Sequence, residues 1–321
     1  MSNLAKRSAF FIVTGGIALA IVAAVVQAQE SEIPRRADGK PDFQGHWSSA
    51  TVTPLERPRN LADKEFFSPE EFAEFEAGRL VENETEANTA ADVHYVLSDF
   101  GLHNSQNTRA VNLRTSIVTD PPDGRIPAMT ESAQAMIAER REVSRESQYD
   151  SASNRPLGER CISWPHNGPP MMPIGYNSNN QIIQTGDHLV FTQEMMQEPR
   201  IIPIDPELAP LPPEILQWRG SSRAWWEGDT LVVETTNQTG LTGRNISPTG
   251  KVTERFSLTD ADTILYQFTV DDPAVYTASW SGEYNLTRTD GPMFEYACHE
   301  GNYGIANILS GIRAEEAAGI R

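Results

Sequence analysis

The sequence predicts a mainly β protein built as an antiparallel barrel or sandwich. Short segments of alternating apolar and polar residues recur through the second half of the chain, with turns about every 8–12 residues. Strands do not alternate with helices, which argues against a parallel sheet. We therefore expect residues 155–321 to form an antiparallel β-domain with short C-terminal helices, and residues 29–154 to form a partly helical, partly extended section packed on it.

Each strand of this domain is predicted from its alternation and from the turn beside it. Gly186-Asp187 and Gly228-Asp229 are tight-turn signals, each lying between two apolar segments. Two further hairpins are expected around residues 259–262 and 290–292. The predicted strands are 180–185, 188–192, 200–204, 223–227, 230–236, 252–258, 263–270, 280–287 and 294–298, and one or two short helices follow over 305–319.

The section before residue 155 carries two helix signals. Ser68 and Glu71 have the spacing of a capping box, and the helix they begin should end near Gly78. A second, charged helix is expected over residues 130–147. The segments predicted to be extended are 41–47, with alternating aromatic residues, and 111–118, with an alternating apolar pattern.

Residues 1–28 are predicted to be a signal peptide. Lys6 and Arg7 precede an apolar run over residues 9–26, and Val26-Gln27-Ala28 has the small-x-small pattern of a cleavage site. The alternative is an uncleaved membrane anchor, because the run approaches spanning length. We expect cleavage after Ala28, a periplasmic or secreted protein, and no stable insertion in the membrane after cleavage.

The charge of the chain argues against nucleic acid as a partner. The formal net charge is −18, and loss of residues 1–28 removes Lys6 and Arg7 and no acid, which leaves 24 basic against 44 acidic residues, or −20. Such a surface favours solubility and repels phosphate backbones. The expected partner is a small molecule.

The two cysteines, Cys161 and Cys298, are predicted to form a disulfide. Export leads to an oxidising compartment, and two cysteines allow a single intramolecular connectivity. Closing so long a loop contributes roughly 4–5 kcal/mol in the chain-entropy model. The alternative is a pair of buried free thiols.

The segment 296–304 holds the densest group of chemically active side chains. His299 and Glu300 are the candidate proton-transfer pair, and His166 is a second acid or base, since the predicted disulfide brings its segment close. The alternative is that Pro, Gly and Asn in these loops only shape turns. The residues expected to orient a substrate are Tyr176, Asn180 and Asn302, with Arg223 as a hydrogen-bond donor to an anion or oxyanion.

Two further features predict a pocket. Glu194 lies at a strand end, where a carboxylate facing a barrel interior acts as a base; its alternative is an ion pair with Arg200 or Arg223. Trp225 and Trp226 are adjacent in a strand, so one points inward and the other outward. Trp225 is a candidate ligand contact, and core packing is the alternative.

Several kinds of site are disfavoured by the sequence. The histidines have no zinc-binding spacing, and G-x-S-x-G, G-x-G-x-x-G and P-loop motifs are missing. A cysteine nucleophile is disfavoured if both cysteines are bridged. We therefore expect no metal and no cofactor.

Four motifs resemble a family of uncharacterised exported bacterial proteins. They are PDFxGxW at 41–47, PLGERC at 156–161, WEGDTLVVETTN at 226–237 and CHEGNY at 298–303. The resemblance implies export and no particular catalytic residue. The successive hairpins are also similar in architecture to calycin-type barrels, which bind small apolar molecules.

The hypothesis from the sequence is an exported enzyme acting on a small, partly hydrophobic molecule. It would use acid–base lyase, isomerase or hydrolase chemistry in a β-barrel pocket. The alternative is a non-catalytic periplasmic protein that binds a small molecule in the same pocket, where tryptophan and methionine contacts matter more than His and Glu.

Overall fold

Strands are the main regular elements of the structure, and along them the side chains alternate between a buried and an exposed face. In the computed structural model, residues 32–61, 63–86, 111–173, 177–242 and 245–320 are described. The strands are β1 Gly45–Ser48, β2 Val118–Asp120, β3 Asn179–Gln184, β4 His188–Gln193, β5 Arg200–Pro203, β6 Ser221–Glu227, β7 Thr230–Thr236, β8 Lys251–Asp260, β9 Thr263–Asp271 and β10 Trp280–Arg288. The helices are α1 Pro69–Glu86, α2 Glu131–Ser147 and α3 Gly304–Ala317.

The sheet of the described residues curls into a nearly closed barrel. Its strands follow the order β5-β4-β3-β1-β10-β9-β8-β7-β6, and β2 adds to β10. The two end strands meet at a single parallel bridge between Ile204 and Ala224. The predicted mainly β, antiparallel fold is confirmed, and of the two forms expected, barrel or sandwich, it takes the barrel. The hairpins β3–β4, β6–β7 and β8–β9 pair as the turn signals predict.

The N-terminal section supplies a strand in the middle of this sheet. β1 pairs antiparallel with β3 on one side and with β10 on the other. Its Trp47 is fully buried, and the indole Nε1 donates to the Phe43 carbonyl at 2.8 Å. The aromatic residues of 41–47 therefore form the short strand that their spacing predicts.

The helix starts agree with the sequence, and one helix end does not. The Ser68 amide donates to the Glu71 carboxylate, and the Glu71 amide donates to the Ser68 hydroxyl, which is the predicted capping box. α1 continues past Gly78 to Glu86, so the predicted end is wrong: an internal glycine lowers helix propensity by only about 1 kcal/mol. Thr130 caps α2 at the start of the range predicted for this helix.

Two predicted strands are wrong. Of the segment 111–118, only Val118 is in β2, and Arg114 instead forms an isolated bridge with Phe66. The segment 294–298 is not a strand, because β10 already has β1 and β9 along its edges and offers no place for a further hairpin partner. The last strand therefore ends at Arg288.

The centre of the barrel is an aromatic core. The Tyr266 ring contacts those of Phe256 and Tyr284, each at a centroid distance of 5.1 Å, and Trp280 meets Phe268 edge-on at 5.4 Å. Buried aromatic pairs of this kind contribute about 0.5–1.5 kcal/mol each beyond their area. Within the described ranges, no helix has both the length and the hydrophobicity needed to cross a bilayer.

Candidate functional site

A proline-rich loop, residues 165–173, packs against the aromatic core of the barrel. The Met171 amide donates to the Tyr266 hydroxyl at 2.9 Å, and Met171 and Met172 are 1% and 2% exposed. Asn167, earlier in the same loop, donates from Nδ2 to the Met195 carbonyl at 2.9 Å. Side chains and this loop therefore pack closely around the Tyr266 hydroxyl.

A buried ion pair crosses the barrel interior. Arg200 of β5 binds Glu254 of β8 through two hydrogen bonds, of 3.0 and 2.7 Å, and Tyr266 donates to the same carboxylate at 2.8 Å. Burial favours a lower pKa of Arg200, but the charge and hydrogen bonds of Glu254 outweigh it and raise that pKa. Burial and the charge of Glu254 raise the pKa of Tyr266 well above its usual range, so its hydroxyl remains a donor.

The wall of the barrel opens into a cleft between β5 and β6. The bridge between Ile204 and Ala224 joins the two edges of the sheet at one point. The cleft lies beside the first residues of β5 and β6 and has a volume of about 770 Å³. One side of the cleft is lined by residues between 198 and 203, and the other side by residues 216–222. Leu208 and Thr239 complete the lining. This volume lies within the range of about 300–1,000 Å³ that small-molecule sites occupy.

Arg219 is the most unusual charge in the cleft. It is 6% exposed, and its acceptors among the described residues are all neutral: the Glu198 carbonyl at 2.7 Å, the Asn167 carbonyl at 2.6 Å and the Gln193 side chain at 3.0 Å. Among the described residues, no carboxylate forms an ion pair with it, and its Nε atom has no hydrogen-bond partner. Burial and, secondly, the charge of Arg200 lower the pKa of Arg219 to about 9.

The rest of the cleft combines exposed apolar side chains with a few polar groups. Ile201, Leu208 and Leu216 line it and are 64%, 37% and 40% exposed. Ser222 is polar and bonds both Arg200 and Thr235. Glu198 has one carboxylate oxygen that is buried without a hydrogen-bond partner in the described part of the chain. The cleft therefore has an apolar rim and a charged inner wall.

The disulfide between Cys161 and Cys298 is confirmed. The two Cα atoms are 5.7 Å apart, and the bond ties the loop 156–165 to the segment after β10. A second, smaller cavity of about 340 Å³ lies against this loop, lined by Leu157, Trp164 and Leu241 among others.

The predicted proton-transfer residues lie near this disulfide and outside the cleft lining. His299 and Glu300 are exposed, and Asn302 is exposed with its Nδ2 at 3.4 Å from both the Cys161 sulfur and the Glu159 carbonyl. His166 is half-buried, and its carbonyl accepts from the Met172 amide at 3.0 Å. Their catalytic roles stay predictions.

Two of the predicted substrate contacts hold parts of the fold together. Asn180 is buried in β3 and donates to the carbonyls of Trp47 and Ser178. Glu194 is 1% exposed and accepts from Asn179 at 3.0 Å and from the Phe294 amide at 3.3 Å, so it fastens the segment after β10 to the barrel.

The two predicted contacts of β6 lie on its outer face. Arg223 pairs with Glu234 at 2.9 Å and donates to the Leu208 carbonyl. Trp225 points outward and donates to Glu227, whereas Trp226 stacks on Phe43 at 5.9 Å; the prediction of one inward and one outward ring is confirmed. Tyr176 lies outside the described residues.

The charged residues of the cleft were not selected from the sequence as site residues, although one signal was present. Glu254 occupies a buried position in the alternation of β8, between Val252 and Phe256. A carboxylate in that phase of a strand requires a buried cation as partner. Arg200 likewise occupies the buried phase of β5.

Comparison with known proteins adds no assignment. No family model matches the chain, and no curated protein is significantly similar to it. The nearly closed antiparallel barrel agrees with the architectural likeness to calycin-type barrels. Within the described residues, no group of three or more His, Cys, Asp or Glu side chains is placed to hold a metal ion.

Proposed function

We propose that this protein is an exported barrel that binds a small, partly apolar molecule in the cleft between β5 and β6. The observation that carries this proposal is the cleft itself: about 770 Å³, with exposed Ile201, Leu208 and Leu216 at its rim and buried arginines at its inner wall. Apolar lining with a few convergent polar groups is the usual composition of a small-molecule site.

Export is part of the same proposal. The disulfide between Cys161 and Cys298 supports an oxidising compartment, where such bonds persist. The predicted signal peptide, residues 1–28, lies outside the described residues. The ligand would therefore be met in the periplasm or outside the cell.

A charge at the cleft rim is expected to weaken binding of a neutral apolar probe. Ile201→Lys replaces a 64% exposed side chain that lines the cleft. Because full burial of an isoleucine side chain is worth about 1.5–3 kcal/mol, we expect a loss of roughly tenfold or more in affinity for Nile red, measured by fluorescence titration.

The matched control is Ile183→Lys. Ile183 is also an exposed isoleucine of a strand, 42% accessible on β3, and it does not line the cleft. Its substitution should leave Nile red affinity unchanged. Equal losses in both variants, or no loss in Ile201→Lys, would place the probe elsewhere and contradict the proposed site.

Acid–base catalysis in the same cleft is the second candidate. Glu198 favours it, because its buried carboxylate oxygen has no hydrogen-bond partner among the described residues and is available to take a proton from a bound substrate. A natural ligand recovered chemically unchanged after long incubation with the protein would favour binding alone, and its conversion into a product would favour an enzyme.

A further inference from the structure

The two buried arginines beside the cleft differ in how their charges are balanced. Arg200 has the Glu254 carboxylate at 2.7 Å, in an ion pair whose acidic side chain is fully buried. Arg219 has three neutral oxygen acceptors and, among the described residues, no carboxylate at ion-pair distance. Arg200 is thus paired directly, whereas the charge of Arg219 is offset only by the more distant carboxylates of Glu198 and Glu254, which raise its pKa less than burial lowers it.

An unmatched buried cation is costly in a folded protein. Removing a charge from water is compensated when an opposite charge and good hydrogen bonds replace the solvent. The guanidinium presents several donors in one plane, which suits a carboxylate. Within the described part of the chain, the Nε–H of Arg219 has no hydrogen-bond partner, so its bonding capacity is unfilled there.

The apolar part of the cleft lies beside this charge. Ile201 and Leu216 belong to the same two segments that carry Arg200 and Arg219, and all four residues line the cleft. A molecule that fills the cleft therefore meets apolar side chains along its length and a guanidinium at its inner end.

We propose that the ligand is an amphipathic carboxylate, whose anionic group pairs with Arg219 while its apolar body lies against Ile201, Leu208 and Leu216. This inference rests on the proposed function, because it assigns the ligand class of the same cleft. It also assigns to Arg219 the role of hydrogen-bond donor to an anion, which the sequence predicts for Arg223. Arg223 already has the Glu234 carboxylate at 2.9 Å.

The test compares two probes that differ only in the head group, decanoate and decanol. Isothermal titration at pH 7.5 should show decanoate binding about tenfold or more tightly, since a hydrogen-bonded ion pair adds to the same apolar contact. In Arg219→Met this preference should disappear while decanol affinity is retained. Arg255→Met, which removes an outer-face arginine paired with Glu227, should keep the preference.

A second measurement on the unaltered protein keeps the test decisive if Arg219→Met does not fold. Among the described residues, the charged groups that act on Arg219 are Glu198, Arg200 and Glu254. Tyr266 and Tyr284 adjoin Glu254, and His166 precedes Asn167, whose carbonyl accepts from Arg219. The pKa values of Arg200 and of both tyrosines are raised, so these three groups keep their protons as pH rises through 9. Arg219, with its pKa of about 9, is the group that loses charge.

The preference for decanoate should therefore be complete at pH 7.5 and decline as pH rises through about 9 and beyond. Decanoate stays ionised and decanol stays neutral over this range, so the ratio of their affinities reports on the protein. A ratio that does not change up to pH 10.5 would overturn the role of Arg219.

The outcomes separate this inference from the proposed function. Equal affinities for decanoate and decanol, both weakened by Ile201→Lys, would overturn the carboxylate and leave the cleft as the binding site. Loss of the preference in Arg223→Met but not in Arg219→Met would also overturn the inference. Binding of neither probe, together with no cleft-dependent binding of Nile red, would overturn the proposed function.

Discussion

Glu254→Gln is expected to destabilise the protein by about 3–5 kcal/mol, because it leaves the Arg200 guanidinium buried without a counter-charge. Glu254 is fully buried, Arg200 is 6% exposed, and two hydrogen bonds join them. The amide that replaces the carboxylate accepts through one oxygen only, so one of these bonds is lost together with the charge. Urea unfolding followed by tryptophan fluorescence measures the change.

Two further variants show whether the buried pair is the cause. Glu227→Gln removes a carboxylate from an exposed pair with Arg255 and should change stability by no more than about 1 kcal/mol. Arg200→Met combined with Glu254→Gln removes both charges and should be less destabilised than the sum of the single variants. A loss below about 1 kcal/mol in Glu254→Gln would contradict the importance of the pair.

Removal of the disulfide is the second large expected effect. In Cys161→Ser/Cys298→Ser the cross-link across a sequence separation of 137 residues is lost. The chain-entropy model gives a loss of about 5 kcal/mol for a loop of this length, through the larger freedom of the unfolded chain. We expect a lower urea midpoint for the double variant than for the oxidised parent protein.

The reduced parent protein is the control for the two serine substitutions. Its stability should match that of the double variant, since both lack the cross-link and differ only at the two sulfur atoms. An unchanged urea midpoint in the double variant would show that the segment after β10 is held by other contacts, such as the bonds of Phe294 with Glu194 and Gln197.

The hairpins of the barrel could be predicted from the sequence because their information is local. In β8 and β9 the buried residues alternate over the whole strand, and the turn at residues 261–262 joins direct neighbours. Pairing between strands that lie far apart in the sequence has no such local signal. Because β1 lies between β3 and β10, β10 has no free edge with which residues 294–298 could pair as a strand. The sequence of residues 294–298 does not show that this edge is occupied.

The candidate site was harder to predict, for a related reason. Its charged wall combines residues 198–200 with residues 219–222, which a long proline-containing loop separates. Arg219 lies before β6 in a stretch without periodicity, so neither its burial nor its lack of a counter-charge follows from the pattern. The sequence instead predicts a site at His299 and Glu300, because chemically active side chains are concentrated in residues 296–304. The fold places both residues at an exposed turn.

The most direct measurement for the cleft as an anion-binding ligand site is a crystal structure of the complex with 10-bromodecanoate. We expect the carboxylate within hydrogen-bond distance, roughly 3 Å, of the Arg219 guanidinium. The anomalous signal of the bromine should lie in the cleft beside Ile201 or Leu216. A bromine signal in the smaller cavity beside Leu157 and Trp164, or near His299, would contradict the assignment.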